Sequence, residues 1–161
     1  MTNEAEYRTI WFEPPSKRLA RWRKFRTDLK DQLTNDSVLQ IEKICDEIWK
    51  FWAAAPQVNI AIDPYDQSTW PTVWEMLYQG EFCKYSNPLG MAYTFFYLLP
   101  EISNRIMRVH DSVSNDTYSV ALIDDKWVLN HDTCDMVKWN DVSATLTIES
   151  DISCKELTEN R

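Results

Sequence analysis

Glycine is almost missing from this chain. Gly80 and Gly90 are the only two in 161 residues, against an average usage of about 7%. Phosphate-cradling loops and the dinucleotide fingerprint need clustered glycines, so both are excluded. Histidine is as scarce, with His110 and His131 alone. The four cysteines, Cys45, Cys83, Cys134 and Cys154, form no CxxC pair. Neither a zinc ribbon nor a disulfide framework is indicated. The aspartates at 124, 125, 132 and 135 lack the loop with a glycine at its bend that calcium requires. No metal and no cofactor is expected. No apolar run approaches the roughly 20 residues of a membrane span, and the first residues lack the basic-then-apolar layout of a signal peptide. The expectation is a soluble, cytoplasmic protein with no membrane contact. A positive surplus is absent too: 17 Lys and Arg face 25 Asp and Glu, for a net charge of -8. That balance opposes non-specific attraction to nucleic acid, which is not an expected partner.

What the chain does have is apolar mass. Hydrophobic residues make up 44% and aromatic residues 13%, including eight tryptophans. A chain of this length and composition reads as one folded domain over residues 1–161. Residues 1–14 show no clear period. Pro14-Pro15 and Ser16 announce a helix over about 16–33, with Leu19, Trp22, Phe25, Leu29 and Leu33 as its apolar stripe. Lys17, Arg18, Arg21, Arg23, Lys24 and Arg26 crowd its remaining surface. They are either a solvated face or a docking surface for an acidic protein partner or, against the overall acidity, nucleic acid. Asn35-Asp36-Ser37 opens a second helix carrying Val38, Ile41, Ile44, Cys45, Ile48 and Trp52, with Cys45 as a core residue, and Pro56 ends it.

A polar loop then leads to a short helix over 73–78 closed by Gly80, and Asn87-Pro88 opens a buried aromatic helix over about 89–99. Its rings, with Trp70, Trp74 and Trp127, read as core. Beyond Pro100 the period becomes alternating, and strands are expected over 105–110, 117–123, 127–129 and 142–148. Asp124-Asp125 makes the hairpin turn, in type I geometry for want of a glycine. Residues 151–161 are polar and read as a frayed tail. Helices first and an antiparallel sheet second is the α+β pattern.

Cys83 is the candidate nucleophile, because a thiol near the start of a buried helix meets unpaired N–H groups that favour the thiolate. The stretch from Val58-Asn59 through Trp70-Pro71-Thr72, Glu75-Met76-Leu77, Gly80 and Cys83, and on to Trp127-Val128-Leu129-Asn130, resembles the bacterial transglutaminase-like cysteine peptidases. The resemblance covers about residues 38–132. It implies a transglutaminase-like, papain-related α+β fold: N-terminal helices packed on a small antiparallel sheet, with Cys83 at the helix–sheet junction. It also implies a Cys-His-Asp site, and here the residues depart from the family. The family's acidic pair after the cysteine is Lys84-Tyr85, Pro88 stands in the first turns of the cysteine helix, the histidine position falls on Tyr118, and the aspartate position on Asn130.

A phenol with a pKa near 10 cannot act as the neutral-pH base that an imidazole can. His110 and His131 are the remaining candidate bases, and Asn130 the candidate orienting group. Two readings stay open. One is a non-catalytic interaction or assembly module; its small, glycine-poor, tryptophan-rich make-up resembles accessory proteins of tailed bacteriophages, which would place it in a virion or host cytoplasm. The other is a cysteine peptidase, amide hydrolase or acyltransferase using Cys83.

Overall fold

The computed structural model describes residues 4–33 and 40–160. Five helices come first: α1 (Glu4–Trp11), α2 (Pro15–Leu33), α3 (Gln40–Ala53), α4 (Val73–Gln79) and α5 (Asn87–Leu98). Then follow β1 (Asn104–Asp111), β2 (Asp116–Ile123), β3 (Trp127–His131), β4 (Asp135–Lys138), α6 (Trp139–Val142), β5 (Leu146–Ser153) and α7 (Cys154–Glu159). The strands form one antiparallel sheet in the order β4-β3-β2-β1-β5. The architecture is the α+β one, with α1–α5 and α7 gathered on one face of the sheet and the short α6 on the other. No described helix is long and apolar enough to cross a membrane.

The buried centre is α5, and its sequence explains how closely it is held. Gly90 lets the helix lie against Trp52 of α3: a Cβ there would sit 2.5 Å from the indole ring. One turn on, the Thr94 hydroxyl accepts the indole N–H groups of both Trp22 (3.0 Å) and Trp52 (2.9 Å), and donates to the Gly90 carbonyl (2.7 Å). Three buried polar groups are thus satisfied by one side chain. The other glycine, Gly80, ends α4 with φ +73°, in the left-handed region where glycine is favoured. The N-terminus of α4 carries a complete capping box between Thr72 and Glu75.

Several expectations are corrected. Within the expected aperiodic segment, Glu4–Trp11 form α1, whose Tyr7, Ile10 and Trp11 are buried against α2 and α3; eight residues are too few for a helical period to stand out. The expected frayed tail is the end of β5 followed by α7, anchored by buried Cys154 and Leu157 and capped by Ser153. The expected strand over 142–148 begins instead at Leu146, because Trp139–Val142 is helical and Ser143–Thr145 is a 3-10 turn. β4 had no strong alternation and was not expected. At the β2–β3 hairpin both aspartates have positive φ (55° and 54°), so the turn takes the mirror-image geometry that matches strand twist, rather than type I. Trp74, expected in the core, is exposed. The Asn35-Asp36-Ser37 helix signal and Val38 lie outside the described residues.

The sheet separates two apolar clusters. Ile106, Ala121, Ile123 and Leu129 face the helices and join the large aromatic core. Met107, Val109, Tyr118, Val120, Leu122, Val128 and Leu146 face the other way, with Trp139 and Val142 packed on them.

Candidate active site

Cys83 lies one turn before α5. Its carbonyl accepts the N–H groups of Ser86 (3.2 Å) and Asn87 (3.0 Å), so the chain already turns helically there. Its own N–H donates to Ser86 Oγ (2.9 Å), and the Ser86 hydroxyl lies 3.4 Å from Cys83 Sγ. The residue is 1% exposed. Burial pushes its thiol pKa up, but backbone N–H groups of Ala61, Tyr85 and Ser86 and the Ser86 hydroxyl together hold it below the usual value. These donors, not an imidazole, act on the sulfur. Cys45 and Cys154 show the contrast: burial without comparable donors pushes both thiols up, Cys154 to about 12.

Pro88 does not move the helix away from Cys83. Lacking an N–H, it leaves the carbonyl of Lys84 without its helical donor. That carbonyl accepts the N–H of Ser119 on β2 instead (3.3 Å). The pairing of β2 with β3 has ended at Ala121 and Leu129, so the edge of β2 is open where the Cys83 turn meets it. Tyr85 donates its hydroxyl to the Thr117 carbonyl (3.2 Å), and Asn130 donates its side-chain amide to the Ser119 carbonyl (2.9 Å). Asn130, with φ +74° at a register shift in β3, completes the edge that β3 leaves unpaired. The Lys84 ammonium meanwhile pairs with Asp116 at 2.8 Å.

Strand alternation decides which β2 residue faces the cysteine. Ser119 has the parity of Ala121 and Ile123, which face α5. Tyr118 has the opposite parity and is buried in the far cluster with Val120 and Leu122. The residue expected at the base position is therefore on the wrong face of the sheet, and the position next to the Cys83 turn carries a serine. Tyr118 instead donates its hydroxyl to Asp111 Oδ2 (2.8 Å). His131 joins the same far-side group, with Nε2 3.7 Å from Asp111 Oδ2. Burial pushes Asp111 up, but the Tyr118 hydroxyl, the N–H groups of Val113 and Ser114 and the His131 ring hold it below the usual carboxylate range. Burial and the Asp111 bond push Tyr118 far up.

The five candidate catalytic residues are thus divided. The Cys83 turn and Asn130 meet at the β2 edge around Ser119, the turn through the Lys84 carbonyl and Asn130 through its side-chain amide. His110 has the parity of Ile106 and Arg108 on the α5 face, where its Nδ1 is 3.1 Å from Thr117 Oγ1. Tyr118 and His131 are together on the far face. Ser119, Ser86, Ala61 and Asp111 were not singled out from sequence. Of these, only Ser86 had a local signal, as a hydroxyl three residues after the cysteine.

The basic helix is divided too. Arg18 is 8% exposed, and its guanidinium donates to the carbonyls of Leu77 (2.7 Å), Tyr78 and Glu13 (2.8 Å), closing the end of α4. It is a structural cap, not part of an open docking face. Arg21 pairs with Glu13 (3.4 Å) and Lys24 with Asp28 (3.0 Å). Arg26 lies over the Trp22 ring at 4.0 Å. Lys17 and Arg23 are exposed and have no ion pair among the described residues.

No protein-family model matches this chain, and no curated protein sequence matches it. Among solved structures it is similar to Legionella pneumophila LapG, with a TM-score of 0.60 and 10% identity over 94% of this chain and 84% of that one. The likeness is one of fold, and that fold is transglutaminase-like α+β.

Proposed function

We propose that this chain is a non-catalytic transglutaminase-like module that acts by binding a protein partner, as an accessory or assembly protein. The carrying observation is the serine at position 119: the β2 face that meets the Cys83 turn offers no imidazole, while His131 and Tyr118 are on the far face with Asp111. Acyl transfer from an amide needs a group to protonate the leaving amine, and no such group is hydrogen-bonded to Cys83 among the described residues. Its resemblance in composition to bacteriophage accessory proteins supports the assembly role, in a virion or in the host cytoplasm.

One observation favours the second reading, a cysteine hydrolase or acyltransferase. The Cys83 thiol is held below its usual pKa by three N–H groups and a hydroxyl, and a stabilised thiolate can attack an activated ester or thioester without a base. Turnover of p-nitrophenyl acetate and of a mixed peptide substrate separates the two. We expect the same rate for the wild type and Cys83→Ala. Ser119→His, which places an imidazole on the Cys83 side of β2, is expected to raise Cys83-dependent ester hydrolysis by about tenfold or more. Cys83-dependent turnover in the wild type would end the non-catalytic reading.

A further inference from the structure

The helical side of the molecule carries an aromatic surface that the fold leaves open. Trp74 and Tyr78, one turn apart on α4, are 47% and 71% exposed, and Tyr97 of α5 lies beside them. Trp74 stands between two hollows. One, of about 390 Å³, is lined by Pro15, Leu19, Leu77 and Tyr78; the other, of about 110 Å³, by Val73, Tyr93 and Tyr97. An isolated exposed ring needs no explanation, but three adjoining rings bordering hollows are a concentration of apolar surface.

On the α2 side this surface is bordered by cations. Leu19, Arg23, Arg26 and Lys30 recur at steps of three and four, so they share the shoulder of α2 that overlooks these rings. The placement agrees with the contacts: Leu19 lines the larger hollow, and Arg26 stacks on Trp22 and lies 5.6 Å from the Tyr97 ring. None of the three cations has an ion pair among the described residues. Asp28, which pairs with Lys24, borders the opposite shoulder with Tyr7 and Phe25. The guanidinium of Arg26 lies over an aromatic ring, and its Nε is enclosed without an acceptor. Its outer Nη edge is what remains to meet a carboxylate, in the bidentate manner arginine favours. In a chain of net charge -8, this local reversal of sign is informative.

We infer that the groove between α2 and α4 is a docking site for an acidic segment of a protein partner, which seats an apolar side chain beside Trp74 and Tyr78 and sets carboxylates against Arg23 and Arg26. The inference rests on the interaction-module reading and names its surface. It also relocates that surface: Lys17, Arg18, Arg21 and Lys24 are not part of it, whereas Lys30 is. Aromatic and arginine anchors are the residue types that carry most binding energy at such sites, and the rim charges set rate and salt dependence.

The test is titration of the full chain, by fluorescence anisotropy, with a fluorescein-labelled synthetic peptide in which a Leu-Phe pair is flanked by glutamates. Two controls replace Leu-Phe by serines or the glutamates by lysines. We expect the first peptide to bind, to weaken several-fold as salt is raised, and to weaken about tenfold in each of Arg23→Glu and Tyr78→Ser. Neither of those side chains has a packing or capping role, so the variants should keep the wild-type circular dichroism. No binding by the wild type, equal binding of a control peptide, or insensitivity to both variants would overturn the proposal. A dimer in sedimentation that Tyr78→Ser dissolves would also overturn it, because the occupant would then be a second copy of the chain. None of these outcomes touches the chemistry of Cys83, which is judged by turnover.

Discussion

The two faces of the sheet are built differently. On the helical face, α1–α5, α7 and the inner residues of β1, β2 and β3 enclose a single large core, tied together by polar nodes such as the Thr94 hydroxyl shared by Trp22 and Trp52. On the far face a smaller apolar cluster ends in a titratable group: the Asp111 carboxylate, the Tyr118 phenol and the His131 ring. Cys83 belongs to the first face and the histidine with a carboxylate partner to the second. A hydrolase needs thiol, imidazole and carboxylate on one face, and here alternation along β2 turns Tyr118 away while the register shift at Asn130 carries His131 to the far side. The comparison shows that candidate residues brought close in a fold are not assembled unless strand parity and bulges together aim them at one face.

The helical face should be the costlier one to disturb. Thr94→Val keeps the shape but leaves the indole N–H groups of Trp22 and Trp52 buried without an acceptor, and each such loss costs about 1–3 kcal/mol. Gly90→Ala forces a Cβ to within 2.5 Å of the Trp52 ring, and overpacking of that kind costs about 1–3 kcal/mol or more. Thr94→Val, which incurs that loss at two indoles, should lower the denaturant midpoint further than any single change among Asp111, Tyr118 and His131. A larger loss from Tyr118→Phe than from Thr94→Val would show that the far cluster, not the aromatic core, governs stability.

These assignments were legible in the sequence to very different degrees. The apolar stripe of α2, the Pro and Gly punctuation around α4 and α5, and the change to alternation after Pro100 are strong local signals, and they suffice for the α+β class. β2 is another matter. It is buried on both faces from Tyr118 to Ile123, so its run of apolar residues has no polar alternation to say which side faces α5. The choice of Tyr118 over Ser119 as the base position was therefore undetermined by pattern. Arg18 resembles its neighbours on the helix wheel, and only tertiary contact with the end of α4 turns it into a cap. The donors around Cys83 are backbone N–H groups from two separate segments, which no residue type announces.

On the far face the expected effects are smaller and depend on pH. Tyr118→Phe removes one hydrogen bond to a charged acceptor, a loss of about 1.5–3 kcal/mol at neutral pH. Because the folded Asp111 pKa is depressed, its contribution is fully present above the unfolded value near 3.9 and is lost as pH falls through the folded value. Acid unfolding of the wild type should therefore steepen below about pH 4. In Tyr118→Phe the carboxylate has lost its side-chain donor, and the curve should flatten there. At the alkaline end the sign reverses: the raised Tyr118 pKa means stability falls as pH rises above about 10, where the unfolded phenol ionises. Tyr118→Phe should lack that fall. Parallel curves for the two proteins at both ends would remove Tyr118 from the Asp111 group.

The smallest change to the fold, and the sharpest test of the division between faces, is at Cys83. Mass-resolved alkylation with iodoacetamide reads its thiolate fraction beside those of the other cysteines. Since Ala61, Tyr85 and Ser86 hold the thiol down, its alkylation midpoint should lie below the ordinary value near 8.5. The absolute rate should stay low, because the residue is almost wholly enclosed. Ser86→Ala removes the hydroxyl donor and should raise the midpoint. Depression of the folded pKa also means that stability rises with pH between the folded and unfolded values, and Cys83→Ala should abolish that rise. His110→Ala and His131→Ala should leave the midpoint where it is, the first because its ring is engaged with Thr117, the second because it is across the sheet. A midpoint that moves upward in either histidine variant would reveal an imidazole partner for the thiolate, and would return Cys83 to the nucleophile's role.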